Sequence, residues 1–574
     1  MTIRALIPCG VSFAGVAMLC VQLATTGGGV PVVAQGSSPD AVYVNGKIAT
    51  VNQAFAIAEA MAVSGDRVSA VGSNAQVRAL AGPSTRVVDL RGHTVVPGLG
   101  DSHIHNAGGG PGVDLSRTRT LAGVLAAVAA SVKNAGPDDV VMSNSDWHES
   151  QLKEDRLPLR RDLDRVSPST PVVLIRGGHE YILNSAALAK WHITKGTADP
   201  DGGQVSKYAD GEPNGELVDT ARNLVALPLT PKMTLDEQIV EQQSQFAKLN
   251  AAGLTSVRFG GVSSTQYRLF EEMKRRGVLT MRVSALIFGP RGGAASAAGV
   301  RAVIEGSGLQ PNEGDEWVRV AGIKLMVDGG FEGGLMREPY AEPYGKHGAF
   351  KGIQVTPADR YAEMVKEINR LGWRAATHAV GDAAIEQVIA AYEAANAERS
   401  IVGKRWALEH GFLPANGHVG RLKALGVILT AQHHLYLAGP SMARYWGQAR
   451  AARVTPVRSY LDGGVMTAAG TDSGVVPYPP LWTFYHFVTR KTIGGQVMGA
   501  DQKITRPEAL RLATVNNAYL NFEEQVLGSL EPGKLADFIV LSDDILTVPE
   551  SRIERMDVLM TVVGGKTVHA RPGW

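Results

Sequence analysis

The residues that could do chemistry sit where apolar runs stop. The run VVPGLGDSHIH ends in His103 and His105, and side chains two apart on a strand share a face, so both imidazoles point one way and can bind one metal ion. Taken alone, such a pair reads first as a strand-end cap, and its company changes that reading. WRAATHAVGD ends its apolar run at His378, RWALEHGF at His410 and VMTAAGTDSG at Asp472. VAGIKLMVDGG carries Lys324, an amine inside an apolar run, where unpaired lysines are rare. Desolvation lowers the pKa of such an amine, leaving it either paired with a carboxylate, Asp328 being near in sequence, or neutral enough to react with CO₂. The carbamate so formed would be an anionic oxygen ligand able to bridge two metals; residue types alone favour the ion pair. Four histidines, a lysine and an aspartate at the ends of apolar runs are hard to explain as separate packing accidents. Their nitrogen and oxygen atoms suit zinc, and also manganese, iron or nickel. Among weaker candidates, His433 and His434 close another run and at most one of them can face the site, while Trp147 is either a substrate contact or loop packing.

Eight apolar runs end in a polar or glycine-rich corner: VVPGLGDSHIH, LTSVRFGG, MRVSALIFG, VAGIKLMVDGG, WRAATHAVGD, RWALEHGF, VILTAQHH and VMTAAGTDSG. They alternate with amphipathic stretches such as AEMVKEINRLG, which predicts α/β architecture with a parallel sheet, and eight such strands close a (β/α)₈ barrel. The candidate residues then lie at the carboxyl ends of their strands, the face where barrel active sites form. The first two runs lie about 150 residues apart, far more than one connection needs, so an inserted subdomain is expected at roughly 112–228. Short apolar runs between turn signals at 40–98 and again at 528–574 predict one small β-sandwich domain assembled from both ends of the chain, with the barrel over 99–527.

Lys+Arg 57 against Asp+Glu 55 gives a net charge of +2, which argues against nucleic acid as a partner. With 44% hydrophobic residues and 66 glycines, the composition is globular and rich in turns. Residues 1–34 begin with one basic residue, Arg4, and run through an apolar stretch to small residues at Val32 and Ala34, which reads as a secretory signal peptide. Pro8, Gly10, Gly15 and the TTGGG run argue against a stable spanning helix, so no membrane anchor is expected after cleavage and the mature protein is expected in the periplasm or outside the cell. Cys9 and Cys20 both fall in this segment, leaving a mature chain without thiols or disulfides.

With these motifs in place, the sequence resembles the amidohydrolase superfamily, and within it the family of amidohydrolases that includes N-substituted formamide deformylases. The resemblance runs from TVVPGLGDSHIHN through THAVGD, ALEHGF and GTDSG to GSLEPGKLADFIVL, and takes in RGGHEYILNSAAL and GEPNGELVDTA of the insertion. It implies one or two divalent ions, most plausibly zinc. His103 and His105 would hold one ion, His378 and His410 the second, with Lys324 as a bridging carbamate; Asp472 would contact the first metal and move protons. The resemblance also matches His179 to a histidine position of that family's insertion, where it either reaches the substrate or serves packing; His434 is a further candidate substrate contact. Bound water, its pKa lowered from about 15.7 to roughly 7, would supply hydroxide to attack a carbonyl. The activity so implied is hydrolysis of a C–N bond in an amide, formamide, N-acyl or cyclic amide group of a small molecule. The same metals could instead cleave an ester, lactone or carbamate, and a non-catalytic binding protein on the same barrel is the third reading. A homo-oligomer is compatible with all three.

The exported reading has its own test. N-terminal sequencing of the extracytoplasmic protein is expected to start near Gln35, and intact Met1 on cytoplasmic protein would reject it. Reducing agents are expected to leave the thermal midpoint of the mature chain unchanged.

Overall fold

The structure, a computed structural model, describes residues 38–200, 203–228, 233–341 and 348–574. The expected leader and both cysteines lie outside the described residues, as does Tyr344 of the loops above the barrel. No helix among the described residues is long and apolar enough to cross a membrane.

The eight runs form one eight-stranded parallel sheet: β1 (Leu99–Ile104), β2 (Leu254–Val262), β3 (Arg282–Phe288), β4 (Val318–Met326), β5 (Ala375–Ala379), β6 (Ala407–His410), β7 (Ile428–Ala431) and β8 (Thr467–Ala469), each beside the next. These strands are almost wholly buried, as parallel strands covered by crossover helices must be. The helix Ala358–Arg370 shows how the cover is made. Tyr361, Met364, Val365 and Ile368 recur at helical spacing and are buried against the barrel, and the Tyr361 hydroxyl lies 2.8 Å from Thr377 Oγ1 of β5. β8 and β1 share no regular ladder. Their seam closes beyond the strand ends, where the Asp472 N–H donates to His103 O (2.7 Å) and the His105 N–H to Ser473 O (2.8 Å). The seam of the barrel is therefore also the place where His103, His105 and Asp472 meet.

Two further sheets make the sandwich. One holds four strands, Ala41–Val44, Ala60–Ser64, Arg67–Gly72 and Arg86–Asp89. The other holds Lys47–Ala49, Ile57–Ala58 and Thr94–Pro97 beside Phe538–Leu541, Val558–Val563 and Lys566–Ala570 from the far end of the chain. Tyr43, Met61 and Val63 of the first sheet pack on Phe538, Val540 and Val562 of the second. The insertion between β1 and β2 carries a five-stranded sheet of its own, Val141–Met142, Val172–Arg176, Glu180–Leu183, Gly203–Lys207 and Pro213–Asp219.

A buried ion pair ties barrel to sandwich. Arg282 at the start of β3 donates to both carboxylate oxygens of Asp537 (2.7 and 2.9 Å), and both side chains are almost inaccessible. Arg282→Met would strand the Asp537 charge. Breaking a buried pair from one side costs about 3–5 kcal/mol, so a clear fall in the denaturant midpoint is expected; an unchanged midpoint in urea unfolding would show that the pair does not couple the two units.

Candidate metal centre

The carboxyl ends of the barrel strands bring the candidates to one place. His103, His410 and Asp472 offer ligand atoms that all lie within 4.8 Å of one another, and all three are buried. His105, just past β1, places Nε2 3.2 Å from Asp472 Oδ1, and His103 Nε2 lies 3.6 Å from the same oxygen. Lys324 Nζ lies 3.3 Å from His103 Nε2. The His378 and His410 rings meet edge to face at 4.5 Å between centroids, but His378 Nε2 faces the Gly329 carbonyl at 3.1 Å rather than the cluster.

Each ligand is held from behind. His103 Nδ1 makes a short contact with the Glu409 carboxylate, which requires the proton on Nδ1 and leaves the Nε2 lone pair facing the site. His410 Nδ1 donates to Gln432 Oε1 (2.8 Å), and the Gln432 amide donates to Thr430 O (3.0 Å). His434 Nε2 donates to Asp472 Oδ2 (2.9 Å). Space is cleared by glycine at one position in particular: a Cβ on Gly260 of β2 would stand 2.5 Å from His103 Nε2 and 2.9 Å from the His105 ring.

The electrostatics suit a cation. Burial pushes the His103 imidazole down to about 4, and holds His378 and His410 well below the ordinary histidine range, so all three are neutral nitrogen donors. Burial works against the Asp472 charge, yet the His105 and His434 imidazoles beside it hold its carboxyl well below the usual carboxylate range. Its Oδ1 is buried, makes no well-aimed hydrogen bond and faces His105 Nε2 at 3.2 Å and His103 Nε2 at 3.6 Å. Two neutral imidazoles, His103 and His410, and the Asp472 carboxylate, with ligand atoms within 4.8 Å of one another, fit a divalent ion of the zinc type.

Two sequence expectations change. Asp328 does not pair with Lys324: its carboxyl accepts the N–H groups of Leu335 (2.9 Å), Val380 (3.1 Å) and Gly381 (2.9 Å) and so shapes the loops after β4 and β5. Lys324 thus sits buried beside a histidine rather than a carboxylate, and burial pushes its amine down to about 8. Trp147 is not a cavity residue. It is buried in the core of the insertion with Leu115, Val172 and Leu174, and its indole N–H donates to Ile175 O (2.7 Å). His179 and His434 do line the cavity over the cluster, together with Phe331, Val380, Phe412 and Val475 and the charged Arg176 and Glu332. His433 turns away to Thr483 Oγ1 (2.7 Å). Tyr436 and Trp482, which the sequence also offers as aromatics over the barrel, lie in the helices His434–Trp446 and Pro480–Thr489 and both bond to Glu554.

Sequence reasoning missed Glu409, Arg258 and Asp219. The signal for the first two was available, because each is a charged residue inside an apolar barrel run, ALEHGF and LTSVRFGG. Glu409→Gln is expected to weaken metal affinity about 10–100-fold, as outer-shell changes do, read by elemental analysis after equilibration with a competing chelator. Retention equal to the parent would assign Glu409 to folding alone.

Comparison with known proteins points the same way. A family described as "Amidohydrolase family" matches residues 86–569. N-substituted formamide deformylase of Arthrobacter pascens is 28% identical over 555 residues, covering 93% of this chain and 99% of that protein. Protein LONG AFTER FAR-RED 3 of Arabidopsis thaliana is 29% identical, covering 93% and 92%. A crystal structure of an uncharacterized metal-dependent hydrolase from Pyrococcus horikoshii superposes with a TM-score of 0.66 at 23% identity, covering 89% of this chain and 99% of that one.

Proposed function

This chain belongs to the amidohydrolase family and is a metal-dependent hydrolase; from that premise we propose that its reaction is hydrolysis of a C–N bond in an amide, formamide, N-acyl or cyclic amide group of a small molecule. The observation that carries the reading is the Asp472 carboxylate, buried among imidazoles and lining a cavity with apolar walls. The deformylase relative acts on substituted formamides, which supports this bond class.

One ion would be held by His103, His410 and Asp472 with His105 beside them; the second ion, which the resemblance assigns to His378 and His410 with Lys324 as a carbamate, would share His410 and need His378 to turn from the Gly329 carbonyl, and such ions polarise an attacking water and the scissile carbonyl. The protein's own groups do the rest. Asp472 accepts the proton that the attacking water loses, since its carboxyl stays ionised through the neutral range. His434 fixes the orientation of that carboxylate through Oδ2, leaving Oδ1 for the water. Phe331, Phe412 and Val475 bury the reacting group and keep bulk water out, which strengthens every charge interaction at the floor.

Asp472→Asn keeps the size and one oxygen but removes the base. General acid–base assistance is worth about 10² to 10⁴ in rate, so kcat is expected to fall by that factor while KM changes little. A variant that folds, keeps its metal and turns over within tenfold of the parent would move the base elsewhere. A panel of matched amides and esters tests the bond class: cleavage of esters and lactones without any amide would reject the C–N reading.

A further inference from the structure

His179 stands at the tip of the hairpin joining Val172–Arg176 to Glu180–Leu183, and its Nδ1 lies 2.6 Å from Asp219 Oδ1. The backbone locks the same two residues together, because the Asp219 N–H donates to His179 O (2.7 Å). Asp219 ends the strand Pro213–Asp219 at φ 48°, ψ −119°, a conformation that a non-glycine residue adopts only when its surroundings impose it. The loop after β4 makes the room. A Cβ on Gly329 or Gly333 would stand 2.2 or 2.3 Å from Asp219 Oδ2, and one on Gly330 would stand 2.8 Å from the His179 ring. Asp219 is buried, and its carboxylate bonds to this imidazole. With Nδ1–H given to the carboxylate, Nε2 is the nitrogen left for the cavity, whose wall His179 forms beside His378 at 5.5 Å between ring centroids.

We propose that His179, held by Asp219, is the acid that protonates the departing nitrogen; this rests on the C–N reading above. Asp472, at the carboxyl ends of the barrel strands, and His179, from the insertion, line the same cavity, so two different groups face one space in which a proton could be taken from water and given to nitrogen. The step balances without a further reactant. A water O–H bond breaks and its proton goes to Asp472 as the new C–O bond forms; the C–N bond then breaks as its electron pair takes the proton from His179 Nε2. Solvent returns a proton to His179 and removes one from Asp472, and the products are an acid and an amine. An aliphatic amine cannot leave without that proton, whereas a phenoxide can.

The test compares, on the full metal-loaded chain with metal content measured in each preparation, an N-alkyl amide and an aryl ester sharing one acyl group. For His179→Gln, kcat on the amide is expected to fall at least about 10²-fold while kcat on the ester falls less than about tenfold, the size of general-acid assistance. Asp219→Asn is expected to shift the same amide-to-ester ratio in the same direction, to a smaller extent. Because the ratio is internal to each preparation, partial loss of folded protein cancels. Equal losses on both substrates, or a loss confined to KM, would overturn the acid role and leave His179 as a binding contact. If the parent cleaves the ester and no amide, it is the C–N reading that fails, and the need for this acid fails with it.

Discussion

The arrangement of the metal centre depends on one buried negative charge, that of Glu409. It is wholly inaccessible, and a carboxylate taken out of water costs several kcal/mol unless its partners are close and well aimed. Three strands supply them. Arg258 of β2 donates to Oε1 at 2.8 Å, Thr430 of β7 donates to Oε2 at 2.6 Å, and His103 of β1 gives its Nδ1 proton. Burial would push this carboxyl up, and Arg258 and His103 together hold it well below the usual range. The charge therefore joins four strands across the barrel and fixes the tautomer of the first ligand. Arg258 also holds the Ser102 carbonyl (3.1 Å), so the strand that presents His103 is anchored by the arginine that neutralises its partner.

Presenting Glu409 and His410 to the same space conflicts with strand geometry, because consecutive side chains point to opposite faces. The chain resolves the conflict at His410, whose φ of 72° ends the strand and turns its imidazole back over the barrel mouth. Asp472 does the same beyond β8, at φ 60°. Such left-handed conformations cost of order 1–3 kcal/mol each in non-glycine residues and persist where the surroundings over-determine them. Here the surroundings are the Asp472 N–H bond to His103 O and the Gln432 amide behind His410. The barrel spends stability at the two strand ends where the ligands need an orientation that regular strands cannot give.

This explains which parts of the site could be read from sequence. The eight strands announce themselves as apolar runs, and His103, His410 and Asp472 as polar residues that end them, because both signals are local. Glu409 stands out as a charge inside an apolar run, but alternation assigns it to the face opposite His410, and only the backbone turn at His410 brings both in. Lys324 and Asp328 are four residues apart in one run, which invites pairing, yet Asp328 follows the strand and is captured by one N–H of its own loop and two of the loop after β5. Trp147 lies beyond the insertion strand Val141–Met142, and its side chain fills the core of the insertion. In each case the missing information is a contact between segments far apart in the chain.

The cavity's upper end shows a related principle with a different outcome. Arg176, which lines it, is held by Glu149 (2.6 and 3.1 Å), by Glu180 (2.9 Å) and by a short contact to Glu332 of the loop after β4. Glu149 in turn accepts the Ser441 hydroxyl (2.7 Å) from the helix after β7. The network thus joins the insertion, the β4 loop and that helix, three segments that apolar packing alone would allow to slide past one another. Replacing buried ion networks by apolar residues is often neutral for stability, so stabilisation is a weak explanation for this one. Its geometry is directional where apolar contact is not, and Glu332 lies two residues after the Gly330 that admits the His179 ring. Fixing Glu332 on Arg176 fixes that loop, and with it the height of the insertion above the metal floor.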